Sequence, residues 1–159
     1  YQTGQPLPAK TLATLNATRT FQAGLSMVRQ IEIALFEFRL HAEYVPDQGS
    51  RAEEILARTR EDVAVMEVPS FNRFPNTFSH VFGGSYAAGY YSYKWAEVLS
   101  ADAFSRFEEQ GLFDYASGRA FLHEILEKGG VTDPMSMLVS FLGRKPSVDT
   151  LLRHLGIAG

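Results

Sequence analysis

The sequence predicts an all-α protein, an irregular multi-helix bundle, and three observations lead there. Apolar residues recur at three- and four-residue steps in several segments. Alternating, strand-like patterns are weak. Glycines and prolines fall mostly between the periodic segments, where they end helices, rather than inside them. With 159 residues, 45% hydrophobic and 21% charged, residues 1–159 suit a single globular unit able to bury a sizeable core.

Gly4, Pro6 and Pro8 make the first residues a loop. Ala9 to Tyr44 reads as helix, with Thr11 or Asn16 as candidate caps and Gly24 dividing a short helix from a long one. On the long one Val28, Ile31, Leu35, Phe38 and Ala42 form the expected apolar face. PDQGS (Pro46 to Ser50) is a turn, and Ser50 with Glu53 has the capping-box pattern for a helix to about Ala64. Glu67 to Phe82 reads as an irregular aromatic loop. Ser85 to Phe107 reads as helix again, and Gly111 and Gly118 frame a break. Arg119 to Glu127 is a helix closed by Gly129-Gly130, and Asp133-Pro134 opens the next one. Ser147 to Leu155, ended by Gly156, is the last of seven expected helices.

Composition narrows the function. The net charge of −3 lacks the basic excess of a nucleic-acid binder. No apolar run reaches the roughly 20 residues that span a bilayer, so no membrane partner is expected. The absence of cysteine removes disulfides and thiolate metal sites and fits a reducing compartment. The opening YQTGQPLP lacks methionine and reads as a cut inside a longer protein.

The stretch HVFGGSYAAGYYSYKW (His80 to Trp95) holds four of the seven tyrosines and the one tryptophan. On a helix, Tyr86, Tyr90, Tyr93 and Glu97 share a stripe, with Tyr86 and Tyr93 about 10 Å apart along the axis. A phenol donates a hydrogen bond and stays protonated at neutral pH, so it can stabilise oxygen charge that develops in a transition state. Gly83 and Gly84 just before it allow a sharp bend or a movement, and His80 could donate from the same loop. Tyrosines at this spacing also line cores and interfaces, with the hydroxyl reaching a surface partner.

FSHVFGGSYAAGYYSYKWAEVLSADAF (Phe78 to Phe104) resembles the substrate-loop segment of the oligopeptidase A and thimet oligopeptidase family, zinc metallopeptidases that cleave short peptides. The resemblance continues through TGQPLP (Thr3 to Pro8), MVRQIEIALFEFRLH (Met27 to His41), FNRFPNTFSH (Phe71 to His80) and FLGRKPSVDTLLRHLGI (Phe141 to Ile157). It implies the C-terminal part of the catalytic region of a larger, mainly helical peptidase. It further implies that Tyr86 and Tyr93 hydrogen-bond the scissile carbonyl and its oxyanion, and that His80 contacts the substrate backbone. Gly83, Gly84 and Ser85 match a mobile glycine-rich loop, with Ser85 where a third glycine is common. Tyr90 would pack or line the substrate.

The family's zinc is held by a helical H-E-x-x-H motif and a later glutamate. The two histidines must lie one turn apart to face one metal, with the first glutamate as base. His41, His80, His123 and His154 include no such pair; His123-Glu124 is followed by Ile125, Leu126 and Glu127. The chain therefore carries no expected metal ligand, and the resemblance places the zinc (Zn2+) site upstream. His41 and His123 read as solvated helix surface, as do Glu53-Glu54 and Glu108-Glu109. Arg144-Lys145 reads as a capped helix end, and Arg153 as open to a buried ion pair. The expected partners are short peptide substrates and the missing N-terminal part of the same peptidase. Phe71, Phe74, Phe78 and Phe82 are expected as apolar surface that would favour self-association of the isolated chain. Two functions follow: part of a zinc endopeptidase, inactive alone, or a non-catalytic helical module that captures peptides or a partner protein.

Overall fold

A computed structural model describes residues 2–157. Among them every regular element is helical and no strand occurs. All seven expected helices are present, and a single turn is added within the aromatic loop. In order they are α1 (Ala9–Thr18), α2 (Ala23–Ala42), α3 (Ala52–Val63), the added turn α4 (Phe74–Thr77), α5 (Ser92–Gln110), α6 (Tyr115–Phe121), α7 (Pro134–Leu142) and α8 (Asp149–His154). The chain forms two compact units, Gly24–Lys94 and the described parts of Tyr1–Ala23 with Trp95–Gly159.

In Gly24–Lys94, α2 and α3 bury Phe36, Ile55 and Leu56, and Leu40, Phe74 and Phe78 pack against them. Each such side chain, fully buried, contributes about 1.5–3 kcal/mol. Glu53 and Glu54 in the first turn of α3, and Arg39 and His41 in the last turn of α2, oppose the respective helix dipoles. Glu32 is buried and receives Arg29 at 2.5 Å and Arg60 at 3.0 Å; Arg60 reaches on to Asn72 and ties the aromatic loop to α3.

The buried face of α2 differs from the expected one. Glu32, Ile33, Phe36 and Glu37 face inward, while Ile31 and Phe38 are 45% and 49% exposed. Two apolar stripes run along this helix, and α3 covers the one centred on Phe36. The break before α2 also moves. Gln22, at φ 54, turns the chain, and Gly24 lies inside the helix. Neither Thr11 nor Asn16 caps α1, which begins after Pro8 without a side-chain cap. Ser50 does not cap α3; Arg51 holds that position and pairs with Glu54 at 2.7 Å and 3.1 Å.

In the second unit, Ala103, Leu138 and Phe141 form the core, with Leu99, Phe107, Phe121 and Ile125 packed around them. Asp133 caps α7 by accepting from the Ser136 amide at 2.8 Å, and Gly143, at φ 74, ends that helix in the left-handed conformation. Asp114 caps α6, so Gly118 lies within the helix rather than at a break. A π-helical turn, Leu122–Leu126, follows. Asp102, fully buried on α5, accepts from Arg144, the Ser147 amide and Thr150, which binds the loop before α8 to α5. Arg153 forms no buried pair; it meets Glu108 at the surface, where His154 joins them.

Candidate active site

The tyrosine segment is not one helix. α5 begins at Ser92, and the chain before it makes successive tight turns: the amides of Gly89, Ser92, Tyr93 and Lys94 donate to the carbonyls of Tyr86, Gly89, Tyr90 and Tyr91. Ala88 sits at φ 55, a conformation no α-helix contains. The consequence for the phenols is large. A helix would separate Tyr86 and Tyr93 by about 10 Å, whereas their rings stack at 5.2 Å with planes 12° apart.

His80 completes the cluster from the 3-10 turn Ser79–Val81. Its ring lies 5.1 Å from Tyr86, 5.3 Å from Tyr90 and 5.8 Å from Tyr93, and Nε2 is 3.3 Å from the Tyr93 hydroxyl. Phe78 stacks behind His80 at 5.5 Å and meets Tyr90 edge-on at 5.1 Å, which joins the cluster to the core under α2. The residues the sequence singled out are therefore together. They are not sealed in: Tyr93 is 38% exposed, and His80, Tyr86 and Tyr90 are half-buried.

The hydroxyls differ in state. The hydrogen bond with Tyr86, then partial desolvation and the nearby phenols, push the Tyr93 hydroxyl up to about 12. Tyr93 thus holds its proton across the neutral range and remains a donor. Burial also raises Tyr90, whose hydroxyl donates to Gln30 Oε1 at 3.0 Å. That hydroxyl is engaged within the fold.

Gly83 and Gly84 have separate geometric reasons. A Cβ on Gly83 would stand 2.6 Å from the Ser79 carbonyl oxygen, to which the Gly83 amide donates at 2.8 Å. Gly84 sits at φ 65, where a side chain is strained. Ser85 has no positive φ and is exposed, so a side chain is accommodated there.

Two residues of α2 join the site that sequence patterning did not pick out. Glu37 is fully buried and accepts from the amides of Ala88 and Tyr90. His41, expected on solvated surface, is half-buried, with Nε2 2.9 Å from the Val81 carbonyl and 3.1 Å from Glu37. The available signal was an acidic residue inside the apolar run IEIALFEF. No group of three or more His, Asp and Glu side chains among the described residues could hold a metal ion. His123, by contrast, is exposed and pairs with Glu127, as a surface residue does.

Residues 1–157 match Peptidase family M3. The chain belongs to peptidase family M3. Among M3-related sequences, "Oligopeptidase A" of Escherichia coli (strain K12) is 53% identical over 159 residues, all of this chain and 23% of that protein. "Probable cytosolic oligopeptidase A" of Arabidopsis thaliana is 45% identical over 161 residues, 99% of this chain and 23% of the relative. "Dipeptidyl carboxypeptidase" of Salmonella typhimurium is 32% identical over 156 residues, 97% of this chain and again 23% of the relative. The chain thus spans about 23% of the length of these M3 relatives. No helix among the described residues is long and apolar enough to cross a membrane.

Proposed function

We propose that this chain is the C-terminal part of the catalytic domain of a cytoplasmic zinc endopeptidase acting on short peptides, and that residues 1–159 work as one part of that domain. Membership of family M3 supports the reaction class. The observation that carries the assignment to particular residues is the stacked, partly exposed Tyr86–Tyr93 pair with His80 beside it.

Tyr93 and Tyr86 donate hydrogen bonds to the scissile carbonyl oxygen as it gains charge. The Tyr93 hydroxyl keeps its proton and stacking fixes the two rings; on substrate binding the hydrogen bond between the two hydroxyls gives way to bonds with the carbonyl oxygen. His80 holds the peptide backbone from the same side. Gly83, Gly84 and Ser85 shape the loop that carries Tyr86, and Tyr90, its hydroxyl engaged by Gln30, lines the site with its ring. The described residues hold no group that fits a zinc site, which supports the reading that the zinc ligands and the base are supplied by other polypeptide and that the 159-residue chain needs it for activity.

Exposed apolar surface supports association with that polypeptide. Gln30, Ile31, Ala34, Leu35, Phe38 and Tyr91 line an open groove of about 430 Å³. Of the phenylalanines expected to be exposed, Phe71 and Phe82 are, whereas Phe74 and Phe78 pack on the core. The same groove favours the second function, a non-catalytic module that captures a partner. Sequence upstream of Tyr1 discriminates: an H-E-x-x-H helix supports the peptidase, and an unrelated domain supports the module. The functional test is Tyr93→Phe in the full-length protein, assayed on a short quenched peptide. An unchanged turnover number removes Tyr93 from the chemistry.

A further inference from the structure

We propose that Glu37, fully buried, is a positioning residue for the phenol pair, acting with half-buried His41 as a clip that fixes both ends of the glycine loop. The inference rests on the catalytic assignment of Tyr86 and Tyr93 above. Glu37 projects from the middle of α2 and is fully buried. Its Oε1 accepts from the Ala88 amide and its Oε2 faces the Tyr90 amide at 3.4 Å. One helical turn on, His41 Nε2 lies 3.1 Å from Glu37 Oε1 and 2.9 Å from the Val81 carbonyl oxygen. The His41 ring meets Phe82 edge-on at 5.4 Å.

Backbone on both sides of Gly83, Gly84, Ser85 and Tyr86 is therefore tied to one pair of side chains on one helix. The chemistry of the carboxylate fits this duty. Ala88 and Tyr90 present only N–H donors, and a carboxylate has two acceptor oxygens and no donor. A buried carboxylate is retained only where such partners satisfy it. Ala88 adopts φ 55, which an alanine does not prefer, and its amide points at Glu37. The clip thus holds the turn that brings Tyr86 over Tyr93.

The test uses the full-length protein. Glu37→Gln keeps the size but turns an amide donor toward one of two backbone donors. Hydrogen exchange of the Ala88 and Tyr90 amides should accelerate about 10-fold or more, while α3 amides stay protected. Turnover should fall about 10-fold or more with KM changed less than about threefold, the signature of a misplaced transition-state donor. Acceleration without loss of turnover, in a protein where Tyr93→Phe does lose turnover, overturns the positioning role. So does unchanged exchange at both amides. If Tyr93→Phe itself keeps full turnover, the catalytic assignment fails instead, and that variant reports it separately. Should Glu37→Gln not fold, His41→Ala releases the other end of the loop from a half-buried position. It should lower turnover severalfold with KM retained, and unchanged turnover there overturns the proposal.

Discussion

Asp102→Ala is expected to destabilise the 159-residue chain severely, and the structure supplies the magnitude. The Asp102 carboxylate is fully buried and accepts from Arg144 Nη1 at 2.6 Å, Arg144 Nη2 at 2.8 Å, the Ser147 amide at 2.9 Å and the Thr150 hydroxyl at 2.9 Å. Alanine leaves the amide and the hydroxyl without their acceptor, at about 1–3 kcal/mol each if they stay buried. The Arg144 side chain is 44% exposed, so water compensates much of its loss and its share is discounted. The sum is about 2–6 kcal/mol, which brackets the about 3–5 kcal/mol typical of breaking a buried charge pair. Urea unfolding followed by far-UV circular dichroism measures it, and a loss under about 1 kcal/mol would refute the hub role. The pH dependence gives a second check. The hydrogen bonds from Arg144, then those from Ser147 and Thr150, hold the Asp102 carboxyl below its ordinary value of 3.8. The unfolded chain therefore takes up the proton first on acidification. The stabilisation is complete above about pH 4 and is lost as pH falls through the lower folded value, so Asp102→Asn should flatten the stability curve in that acid window.

Gly83→Ala places a methyl 2.6 Å from the Ser79 carbonyl oxygen, so the loop backbone must shift; turnover of the full-length protein should fall at least as far as for Gly84→Ala, where only the φ of 65 is strained. Equal, wild-type rates in both variants would contradict the close approach. Ile31→Gln with Phe38→Gln removes two exposed apolar side chains from the α2 groove. Sedimentation of the isolated chain should show weaker self-association than the parent, and unchanged association would move the sticky surface elsewhere.

How much of this was legible in the sequence depends on the range of the interaction. Local signals were read well. Asp133-Pro134 opens α7, as its local pattern indicates, because caps depend on residues a few positions apart. The Ser50 pattern failed because the Arg51–Glu54 pair took the first turn of α3 instead. Periodicity showed that α2 is an amphipathic helix but not which of two apolar stripes α3 would cover. The cluster of His80, Tyr86, Tyr90 and Tyr93 was visible as a composition anomaly. Its geometry was not, since Tyr86 to Tyr91 reads locally as helix. That segment is held as turns by hydrogen bonds from Ala88 and Tyr90 to Glu37, 51 and 53 residues away in sequence. Local propensity contains no trace of such a partner.

In the proposed function the Tyr86 and Tyr93 phenols act together on the scissile carbonyl. The most direct measurement is the turnover number of the full-length Tyr86→Phe/Tyr93→Phe variant on a quenched peptide at neutral pH. Both rings and their stacking survive and only the hydroxyls are lost. Turnover should fall about 10²-fold or more with the protein still folded; turnover within about twofold of the parent would exclude a joint role for the two hydroxyls.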